Sequence, residues 1–502
     1  MSFALAALSG VLYFVGFVGY GQHYLAWICF VPALWAIRDV TPRRALLLGT
    51  LFGTVMSFGG FYWVGGMLGE FAGLGPFLSG LGLTLLCLQH GLGVGLVLAA
   101  VRRLERDRGI APVWSLPLAL TAHELLYPQI FPYYLGASQF KVTWVTQIAE
   151  LFGIVGVSAL VVLVNGAVFE LVRAKKDQRP IARRRVLIPA GVLVACLAFG
   201  AIRAASLDDD IAAARKIKVA MIQTNLGAKD KHARADAFLQ KHIDMSRRAI
   251  EKDPSIELLV WPETAYNRWL DKRTKDLSRS PLGQMGRPMI FGALLTDTAP
   301  DGERRAYNSA VITSSTGQVL GSFDKIELLV FGEAIPLSDV FPIVKKWLPM
   351  ASTFTRGTST KPLVARDGTK FLPMICYEDI LPRFVRRLWS EGGPSDVLVN
   401  VTNDSWYGDS DEPIEHLALA TFRSIETRRA LIRATNTGIS ALVDPVGRIT
   451  QRSGQWTEEV IVGSVPLIED DRSTIYQTIG DLPAWAATIA LAVLLFRRRP
   501  AP

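Results

Sequence analysis

Three residues of this 502-residue chain carry a carboxylate, an amine and a thiol, which together suffice for acyl transfer. Glu263 follows an apolar run, Lys325 precedes Glu333 by eight residues, and Cys376 ends a second apolar run. In such a set the carboxylate accepts the thiol proton, the thiolate attacks a carbonyl carbon, and the ammonium stabilises the oxyanion. Each residue alone has an ordinary explanation as a solvated turn, a surface charge or a core cysteine, so this interpretation depends on all three together.

These residues stand at or just after the ends of predicted strands, where a sheet can present side chains to one site. Short β-branched runs predict the strands, and amphipathic periodicity predicts three helices. The predicted strands are Lys218–Gln223, Glu257–Trp261, Met289–Leu295, Ala310–Thr313, Phe371–Ile375 and Asp396–Val401. The predicted helices cover 233–252, 379–390 and 414–429. Such alternation is typical of an α/β domain with a substantial sheet.

The composition of the chain argues against a wholly soluble or a disordered protein. Half of the residues are hydrophobic and 20% are charged, below the roughly one quarter that is typical of soluble domains. The apolar residues concentrate in 1–205 and 482–496. The sequence therefore predicts an N-terminal transmembrane domain over 1–205, a catalytic α/β domain over 206–480, and a C-terminal transmembrane helix with a basic tail over 481–502.

The net charge of +9 does not indicate nucleic-acid binding, because the basic residues flank the apolar stretches. Four short segments hold 17 Lys and Arg residues against four acidic residues, an excess larger than that of the whole chain. These segments are 38–44, 101–109, 173–185 and 497–499. Positive charge beside apolar spans is typical of the cytoplasmic loops of a membrane protein.

Eight apolar stretches are candidate membrane spans, although the first two and the last are short for a bilayer. They cover approximately 3–20, 24–37, 45–66, 77–101, 111–130, 150–172, 186–203 and 482–496. Placing all four basic segments in the cytoplasm requires eight spans with both chain termini inside. The loop 204–481 then lies outside, so the α/β domain is expected to be exoplasmic.

The positions of the four cysteines also bear on the prediction that the α/β domain is exoplasmic. Cys29, Cys87 and Cys196 lie in apolar stretches, where cysteine is usually a small buried hydrophobe. Cys376 is alone in the exoplasmic domain, so no disulfide framework can form there. A lone thiol in an oxidising compartment is a liability unless it is buried or reactive, and both explanations stay open for Cys376.

Several motifs resemble those of the nitrilase, or carbon–nitrogen hydrolase, superfamily. They are Trp261–Glu263, Lys325 with Phe331–Glu333, and Cys376–Glu378. Four further segments resemble the membrane branch of that superfamily, the apolipoprotein N-acyltransferases, and cover 132–139, 153–158, 403–408 and 433–440. Because the motifs follow one another in the family's order and spacing, the resemblance covers nearly the whole chain.

The resemblance implies an αββα sandwich and a ping-pong reaction. A fatty acyl chain would pass from a membrane glycerophospholipid to Cys376 as a thioester, and then to the α-amino group of the N-terminal diacylglyceryl-cysteine of a lipoprotein. Glu263 would be the general base. Lys325, with the backbone N–H of Tyr377, would stabilise the tetrahedral intermediate. The supporting or substrate-binding positions of the family correspond here to Glu333, Tyr377, Glu378, Asn403 and Trp406.

The same resemblance also implies the cellular location and the topology of the protein. It implies the bacterial inner membrane, with the catalytic domain on the periplasmic side and both termini cytoplasmic. The sequence has no glycine-rich phosphate loop and its six histidines are scattered, so we expect no cofactor or metal; we also expect no nucleic acid and a monomer. Glu333 and Glu378 would keep Lys325 charged and oriented, with salt bridges to nearby arginines as the alternative. The apolar stretch 331–357 is interpreted either as a mobile arm that reaches lipid or as ordinary loop packing.

Two other functions stay open at this point. The first is a membrane-tethered amidase, or an acyltransferase with a different amine acceptor, because the triad is shared across the superfamily. The second is a transporter with an outer domain. It is less favoured, since the apolar stretches hold few ionisable residues and lack paired charges. Those residues are His90, His123, Glu124 and Glu150.

Three positions depart from the family pattern. Val330 stands where a proline usually precedes Phe-Gly-Glu, the segment after Asn225 lacks a tryptophan, and Tyr127 stands where arginine is common. None of these departures removes a catalytic group.

Overall fold

The computed structural model describes residues 1–70, 73–227, 235–299, 302–329, 333 and 354–497. The chain divides into two compact units. The first contains Met1–Gly69, Leu74–Ser206 and the chain from Thr474 onward, and the second contains Leu207–Ser473. The divisions therefore follow Ser206 and Ser473, whereas the sequence analysis placed them after residues 205 and 480.

The first unit is helical and the second combines helices with sheets. Numbered along the whole chain, the helices are α1 (Ser2–Val15), α2 (Val31–Ile37), α3 (Pro42–Gly60), α4 (Trp63–Glu70), α5 (Pro76–Arg108), α6 (Pro112–Leu126), α7 (Thr143–Thr146), α8 (Ala149–Lys176), α9 (Arg184–Ala213), α10 (Ala235–Lys252), α11 (Pro382–Gly392), α12 (Glu412–Thr427), α13 (Ile475–Ile479) and α14 (Leu482–Phe496). Short 3₁₀ turns lie at His23–Trp27, Leu135–Gln139, Gly283–Met285, Cys376–Ile380 and Asp404–Tyr407.

Helices occupy each of the eight apolar stretches, but they differ in length. Among the described residues, α5, α8 and α9 are long and apolar enough to cross a membrane, and the segments Ser2–Val15, His23–Ile37 and Leu482–Phe496 are shorter apolar helices. α3 and α4 count as a fourth span if taken together, with a bend of 60° between them. The sequence predicted one continuous stretch there. The break comes directly after two adjacent glycines, Gly59 and Gly60, at the end of α3.

Glycines bring α3 and α5 close together in the helical unit. A side-chain carbon at Gly49 would lie 2.7 Å from the Cα of Gly95, and one at Gly53 would lie 2.7 Å from the Cα of Gly91. Glycines four residues apart on both helices therefore let the two backbones approach, as small residues do in membrane helix pairs.

Side-chain contacts join three of the four basic segments that are predicted to be cytoplasmic. One of these three also contacts the end of α14, which directly precedes the fourth basic segment. The contacts are Arg38 with Asp177, Arg173 with Glu105, and Arg103 over the ring of Phe496. These segments, distant in the sequence, therefore meet in one region of the helical unit.

The expectation that the apolar stretches lack paired charges is wrong. Arg203 donates to both carboxylate oxygens of Glu150, at 2.8 Å each. Glu150 begins α8 and Arg203 lies on α9, 53 positions away, so no local pattern in the sequence revealed the pair.

Two six-stranded sheets form the second unit. The strands are β1 (Lys216–Gln223), β2 (Leu258–Asp271), β3 (Met289–Thr298), β4 (Arg304–Thr313), β5 (Val319–Asp324), β6 (Leu363–Val364), β7 (Lys370–Ile375), β8 (Val397–Thr402), β9 (Ala430–Thr435), β10 (Ala441–Val443), β11 (Ile449–Arg452) and β12 (Glu459–Pro466). Their orders are β12-β1-β2-β3-β4-β5 and β11-β10-β9-β8-β7-β6. In each sheet three central neighbours run parallel, β1 to β3 and β7 to β9, and the remaining pairs are antiparallel.

The two sheets pack face to face with helices on their outer faces. Val219 and Met221 of β1 belong to the core between the sheets, while Ala220 and Ile222 pack in the core that contains α10. This alternation follows from the two-residue period of a strand. α11 and α12 pack against the second sheet. The unit is therefore an α/β sandwich with the layers helix, sheet, sheet, helix.

The observed elements include every strand and helix predicted within residues 206–480, with their ends shifted. β2 and β4 are longer than predicted, and α11 begins later because the 3₁₀ turn after Ile375 precedes it. The edge strands β5, β6, β11 and β12 and the inner strands β9 and β10 were not predicted. Edge strands bury fewer side chains than inner ones and so lack a continuous apolar run. In β9 the apolar run is interrupted by Arg433, and β10 has only three residues.

Candidate active site

Glu263 lies at a distortion in β2. Pairing with β3 is irregular between Trp261 and Tyr266, and Thr264 has a φ of +52°. The distorted backbone passes so close to β3 that a side-chain carbon at Gly292 would lie 2.4 Å from the Thr264 nitrogen. Only glycine fits there, and a glycine inside a strand often marks such a close approach of another backbone.

Lys325 directly follows β5 and its side chain is 1% exposed. Its Nζ lies 2.7 Å from Oε2 of Glu333 and 3.5 Å from Oε1 of Glu263. Burial alone would lower the pKa of Lys325, but the negative charge that Cys376 carries once it is ionised, together with the carboxylates of Glu333 and Glu263, raises it well above its ordinary value. The ammonium therefore stays charged inside the protein.

Asn308 on β4 is a residue of this site that the sequence analysis missed. Its Nδ2 donates to Oε1 of Glu263 at 2.6 Å and to Oε1 of Glu333 at 3.0 Å, so one amide joins both carboxylates. Its backbone carbonyl accepts the Lys325 N–H at 2.8 Å. The only sequence signal was an amide next to an apolar run, because Asn308 lies 45 residues from Glu263 and in none of the recognised motifs.

Cys376 follows the last residue of β7 and begins a 3₁₀ turn with a φ of +54°. This left-handed conformation is uncommon for a residue with a Cβ and recurs at functional turns. Burial raises the pKa of the Cys376 thiol well above its ordinary value; Lys325 lowers it, and the carboxylates of Glu263 and Glu333 add to the rise. The thiol is therefore protonated at neutral pH and requires a base to become a nucleophile.

The structure thus brings Glu263, Lys325 and Cys376 into one electrostatic cluster, together with Glu333. The cluster offers a proton acceptor, a fixed positive charge and a thiol, all of them withdrawn from bulk water. A charge aimed at a developing oxyanion is worth more in such a site than in solvent. The arrangement is suited to attack of the thiolate on a carbonyl carbon.

Glu378 contacts backbone groups instead of Lys325 or an arginine. Its Oε1 accepts the N–H of Ile326 at 2.7 Å and of Glu327 at 2.9 Å, and its Oε2 accepts the N–H of Ile375 at 2.8 Å. Burial raises the pKa of Glu378 to about 8, although these hydrogen bonds lower it. This carboxyl group ties the segment that follows the lysine to the strand that precedes the cysteine.

The remaining predicted site residues lie on segments that flank the cluster. The Tyr377 hydroxyl donates to the carbonyl of Leu328 at 3.2 Å, and its ring lies 5.9 Å from the Lys325 Nζ. Asn403 follows β8 and accepts from Asn436 at 3.4 Å. The indole of Trp406 is exposed in the next turn.

Some sequence expectations concern residues that the structure does not describe. Val330, Phe331 and Gly332 lie outside the described residues, as does the predicted arm 331–357 except for Glu333 and 354–357. The end of the segment after Asn225 is also outside them.

A second buried charge cluster adjoins the turn that carries the cysteine. Arg433 Nη1 lies 2.7 Å from Oδ2 of Asp379, and its Nη2 lies 3.0 Å from Oδ2 of Asp404. His416 Nε2 lies 2.7 Å from the other oxygen of Asp379. Burial and Arg433 act to lower the pKa of His416, but Asp379 and Asp404 raise it to about 10. His416 is therefore a cation at neutral pH.

Within the described residues, Asp404, Glu412 and His416 could hold a metal ion by distance, with ligand atoms within 4.8 Å of one another. Two of these residues already have charged partners: Asp404 pairs with Arg433, and His416 pairs with Asp379.

Two family models match the sequence. Residues 218–472 match carbon-nitrogen hydrolase, and residues 9–167 match the apolipoprotein N-acyltransferase N-terminal domain.

Curated relatives match over nearly the full length. The apolipoprotein N-acyltransferase of Geobacter metallireducens is 33% identical over 99% of this chain and 96% of that protein. Those of Bdellovibrio bacteriovorus and Rhodopseudomonas palustris are 30% and 29% identical, over 92% and 99% of this chain and 88% and 95% of their own lengths.

Solved structures resemble part of the chain. Nit3 of Saccharomyces cerevisiae, a member of branch 10 of the nitrilase superfamily, is 19% identical with a TM-score of 0.38, covering 54% of this chain and 95% of its own. An amidase from Nesterenkonia sp. is 18% identical with a TM-score of 0.36, covering 50% of this chain and 90% of its own.

Proposed function

This chain belongs to the apolipoprotein N-acyltransferase family, and from that premise we propose that it transfers a fatty acyl chain through Cys376 in two half-reactions. The donor is a membrane glycerophospholipid. The acceptor is the α-amino group of the diacylglyceryl-cysteine at the N-terminus of a lipoprotein. Glu263 is the base, Lys325 is the oxyanion-stabilising cation, and Cys376 is the nucleophile.

In the first half-reaction, Glu263 accepts the thiol proton and the Cys376 thiolate attacks the carbonyl carbon of a phospholipid ester. A carbon–sulfur bond forms and the carbonyl oxygen becomes an oxyanion, which Lys325 and the Tyr377 N–H stabilise. Collapse of this intermediate breaks the ester carbon–oxygen bond. Glu263 returns its proton to the leaving alkoxide, so the products are a lysophospholipid and an acyl thioester on Cys376.

In the second half-reaction, the lipoprotein amine attacks the thioester carbonyl and forms a carbon–nitrogen bond. Glu263 accepts a proton from the amine, and the oxyanion again lies between Lys325 and the Tyr377 N–H. The carbon–sulfur bond then breaks, and the proton on Glu263 passes to the departing Cys376 thiolate. The amide leaves and the enzyme returns to its starting state without a cofactor.

One observation carries this proposal: a fully buried ammonium lies between two carboxylates beside a thiol that burial keeps protonated. The neutral thiol needs the base, and the fixed cation needs a developing negative charge to act on. Glu333 supports the pair, because it contacts Lys325 directly and shares Asn308 with Glu263.

We propose further that the helical unit spans the bacterial inner membrane eight times, with both termini cytoplasmic and the catalytic domain periplasmic. The ion pairs that join the basic segments support placing those segments on one side. Both proposed substrates are anchored in the outer leaflet, which explains why a catalytic domain of this superfamily would be attached to membrane helices. We expect the protein to act as a monomer.

The test is mass spectrometry of the purified protein after incubation with mixed vesicles of phosphatidylethanolamine and phosphatidylglycerol. We expect an adduct of fatty-acyl mass on Cys376, absent in Cys376→Ala and in Cys376→Ser, since a hydroxyl lacks the nucleophilicity of a thiolate. Cys196→Ala is the matched control, because Cys196 lies on α9 in the helical unit, and it should keep the adduct.

Two outcomes would contradict the proposal. Turnover by Cys376→Ala would exclude a covalent intermediate on this residue. An acylated Cys376 that reacts with water but not with a diacylglyceryl-cysteine peptide would instead indicate a membrane-tethered hydrolase.

A further inference from the structure

The peptide bond between Cys376 and Tyr377 is held from its carbonyl side. Asn400 on β8 donates from Nδ2 to the Cys376 carbonyl oxygen at 2.9 Å. In a trans peptide the carbonyl and the following N–H point in opposite directions. A hydrogen bond on the Cys376 carbonyl therefore also fixes the direction of the Tyr377 N–H.

Among the described residues the Tyr377 N–H has no acceptor, which follows from its place in the turn. Tyr377 is the second residue of the 3₁₀ turn Cys376–Ile380. The first N–H groups of such a turn have no acceptor within it. A donor to the carbonyl oxygen also polarises the peptide, so its N–H becomes a stronger donor.

Asn400 itself has only one orientation available. Arg433 Nη1 donates to Oδ1 of Asn400 at 3.1 Å, which leaves the NH₂ group facing the Cys376 carbonyl. Arg433 is in turn fixed by Asp379 and Asp404, and all of these side chains are fully buried. The buried charged residues thus hold the Asn400 amide in place against the turn that begins at Cys376.

This turn needs an external restraint, because Cys376 has a φ of +54° and a Cβ. Glu378 holds the strand before Cys376 through the Ile375 N–H. Asn400 holds the peptide after it. The two restraints act on different peptide groups, so loss of one leaves the other in place.

We infer that Asn400 is a positioning residue that directs and polarises the oxyanion-binding N–H of Tyr377, with Arg433 orienting its amide; this inference rests on the proposed function of Cys376 and Lys325. Asn400 acts on the tetrahedral intermediate and not on ionisation of the thiol. Its loss therefore impairs reactions that form an oxyanion and spares reactions of the thiolate that form none.

The experiment compares two reactions of Cys376 in full-length protein. Acylation by the mixed phospholipid vesicles in a single turnover forms an oxyanion, whereas alkylation by iodoacetamide does not. In Asn400→Leu we expect acylation to fall at least about tenfold, approaching the loss seen when an oxyanion donor is removed. The limiting alkylation rate at high pH should stay within about twofold of the wild-type rate, because alkylation needs only the thiolate.

A second variant and a control keep the result interpretable. Asn400→Ala removes the same donor with less steric demand, and is used if Asn400→Leu does not fold. Ser246→Ala also removes a buried hydrogen bond, the one that Trp261 Nε1 donates at 2.9 Å, but on α10 and away from the nucleophile turn. It should leave the ratio of the acylation rate to the alkylation rate unchanged.

Equal losses in both reactions of the Asn400 variants would overturn the inference, because they would indicate that the turn as a whole has collapsed. Unchanged acylation would overturn it as well. Failure of the proposed function looks different: wild-type protein would then form no acyl adduct on Cys376 at all.

Discussion

At the residue scale, opposing effects act on the Cys376 thiol. Burial raises its pKa, Lys325 lowers it, and the neighbouring carboxylates raise it again, so the net pKa lies well above the ordinary value. A thiol in this state cannot act unaided at neutral pH. The division of labour between Glu263 and Lys325 follows: one residue creates the thiolate and the other stabilises the charge that appears after attack.

This division can be tested with Glu263→Gln and Lys325→Met. Glu263→Gln cannot accept a proton, so its acylation defect should be relieved at high pH, where the thiol ionises without a base. Lys325→Met keeps the side-chain length but removes the charge, and its loss, typically about 3–4 kcal/mol for an oxyanion donor, should persist at every pH. The measurement is the single-turnover acylation rate of Cys376 from about pH 6 to 9.5. Below the pKa of a thiol its ionised fraction rises about tenfold per pH unit, so the rate of Glu263→Gln should climb through this range.

Parallel pH profiles for the two variants would show that the roles are not divided in this way. Membrane or micelle integrity at each pH is the necessary control for both.

Glu333, which is partly buried, and Glu378, which is fully buried, both lie next to this site, but their contacts predict different effects. Glu333→Gln weakens the contact at 2.7 Å with Lys325, so acylation should slow with little change in thermal stability. Glu378→Gln places an amide donor against backbone N–H groups, so the protein should lose about 1–3 kcal/mol of stability. Thermal unfolding and acylation rates of both variants in detergent separate the two effects.

The Glu378 effect should also depend on pH. Burial raises the pKa of Glu378 to about 8, above the ordinary value of 4.5, so the folded state retains a proton that the unfolded state loses. Its contribution to stability is therefore full below about pH 4.5 and is lost as the pH rises through about 8. The stability difference between wild type and Glu378→Gln should shrink over that window, and a difference that grows would contradict the assignment.

At the element scale, the site depends on two places where the backbone leaves regular strand geometry. β2 is distorted at Glu263 with Thr264 at positive φ, and the chain turns sharply at Cys376 after β7. Because side chains alternate along a regular strand, a distortion is what redirects a side chain from the core to the site. Neighbouring residues accommodate both distortions. Gly292 leaves room for the distorted backbone of β2, and hydrogen bonds from Asn400 and to Glu378 hold the turn at Cys376.

The pairing of α3 with α5 makes a prediction about the helical unit. A side-chain carbon at Gly91 would lie 2.6 Å from the Thr50 carbonyl oxygen, which is backbone and cannot move aside. We expect Gly91→Ala to destabilise the protein by about 1–3 kcal/mol, as overpacking does.

Gly80→Ala is the matched control, since it makes the same change on the same helix with no atom within 4 Å. It should be neutral or slightly stabilising, because alanine favours helix more than glycine does. Thermal unfolding in detergent measures both variants. Equal behaviour of the two would show that close packing of these helices is not what limits stability.

At the scale of the whole molecule, the proposed topology places Asp271 and Arg183 on opposite sides of the membrane. A single cysteine is introduced at either position in a chain whose four native cysteines, Cys29, Cys87, Cys196 and Cys376, have been replaced by serine. A maleimide that cannot cross membranes should label the Asp271 probe in intact spheroplasts, and the Arg183 probe only after permeabilisation. The reverse pattern would overturn the eight-span proposal.

The sequence by itself determined those features that depend on local chemistry. Motifs pointed to Glu263, Lys325 and Cys376, apolar runs located six of the eight inner strands, and apolar length with flanking arginines separated the helical unit from the α/β unit. Each of these signals is carried by neighbouring residues along the chain, so it can be recognised without knowing how the chain folds.

Only the tertiary structure decided which distant residues meet. Asn308 joins Glu263 to Glu333 across two strands, and Asn400 reaches the Cys376 carbonyl from the strand beside β7. Glu378 contacts backbone N–H groups that no side-chain pattern encodes. Such contacts are set by strand order, register and backbone distortion, which depend on the packing of the whole sheet and leave no periodic trace in the sequence.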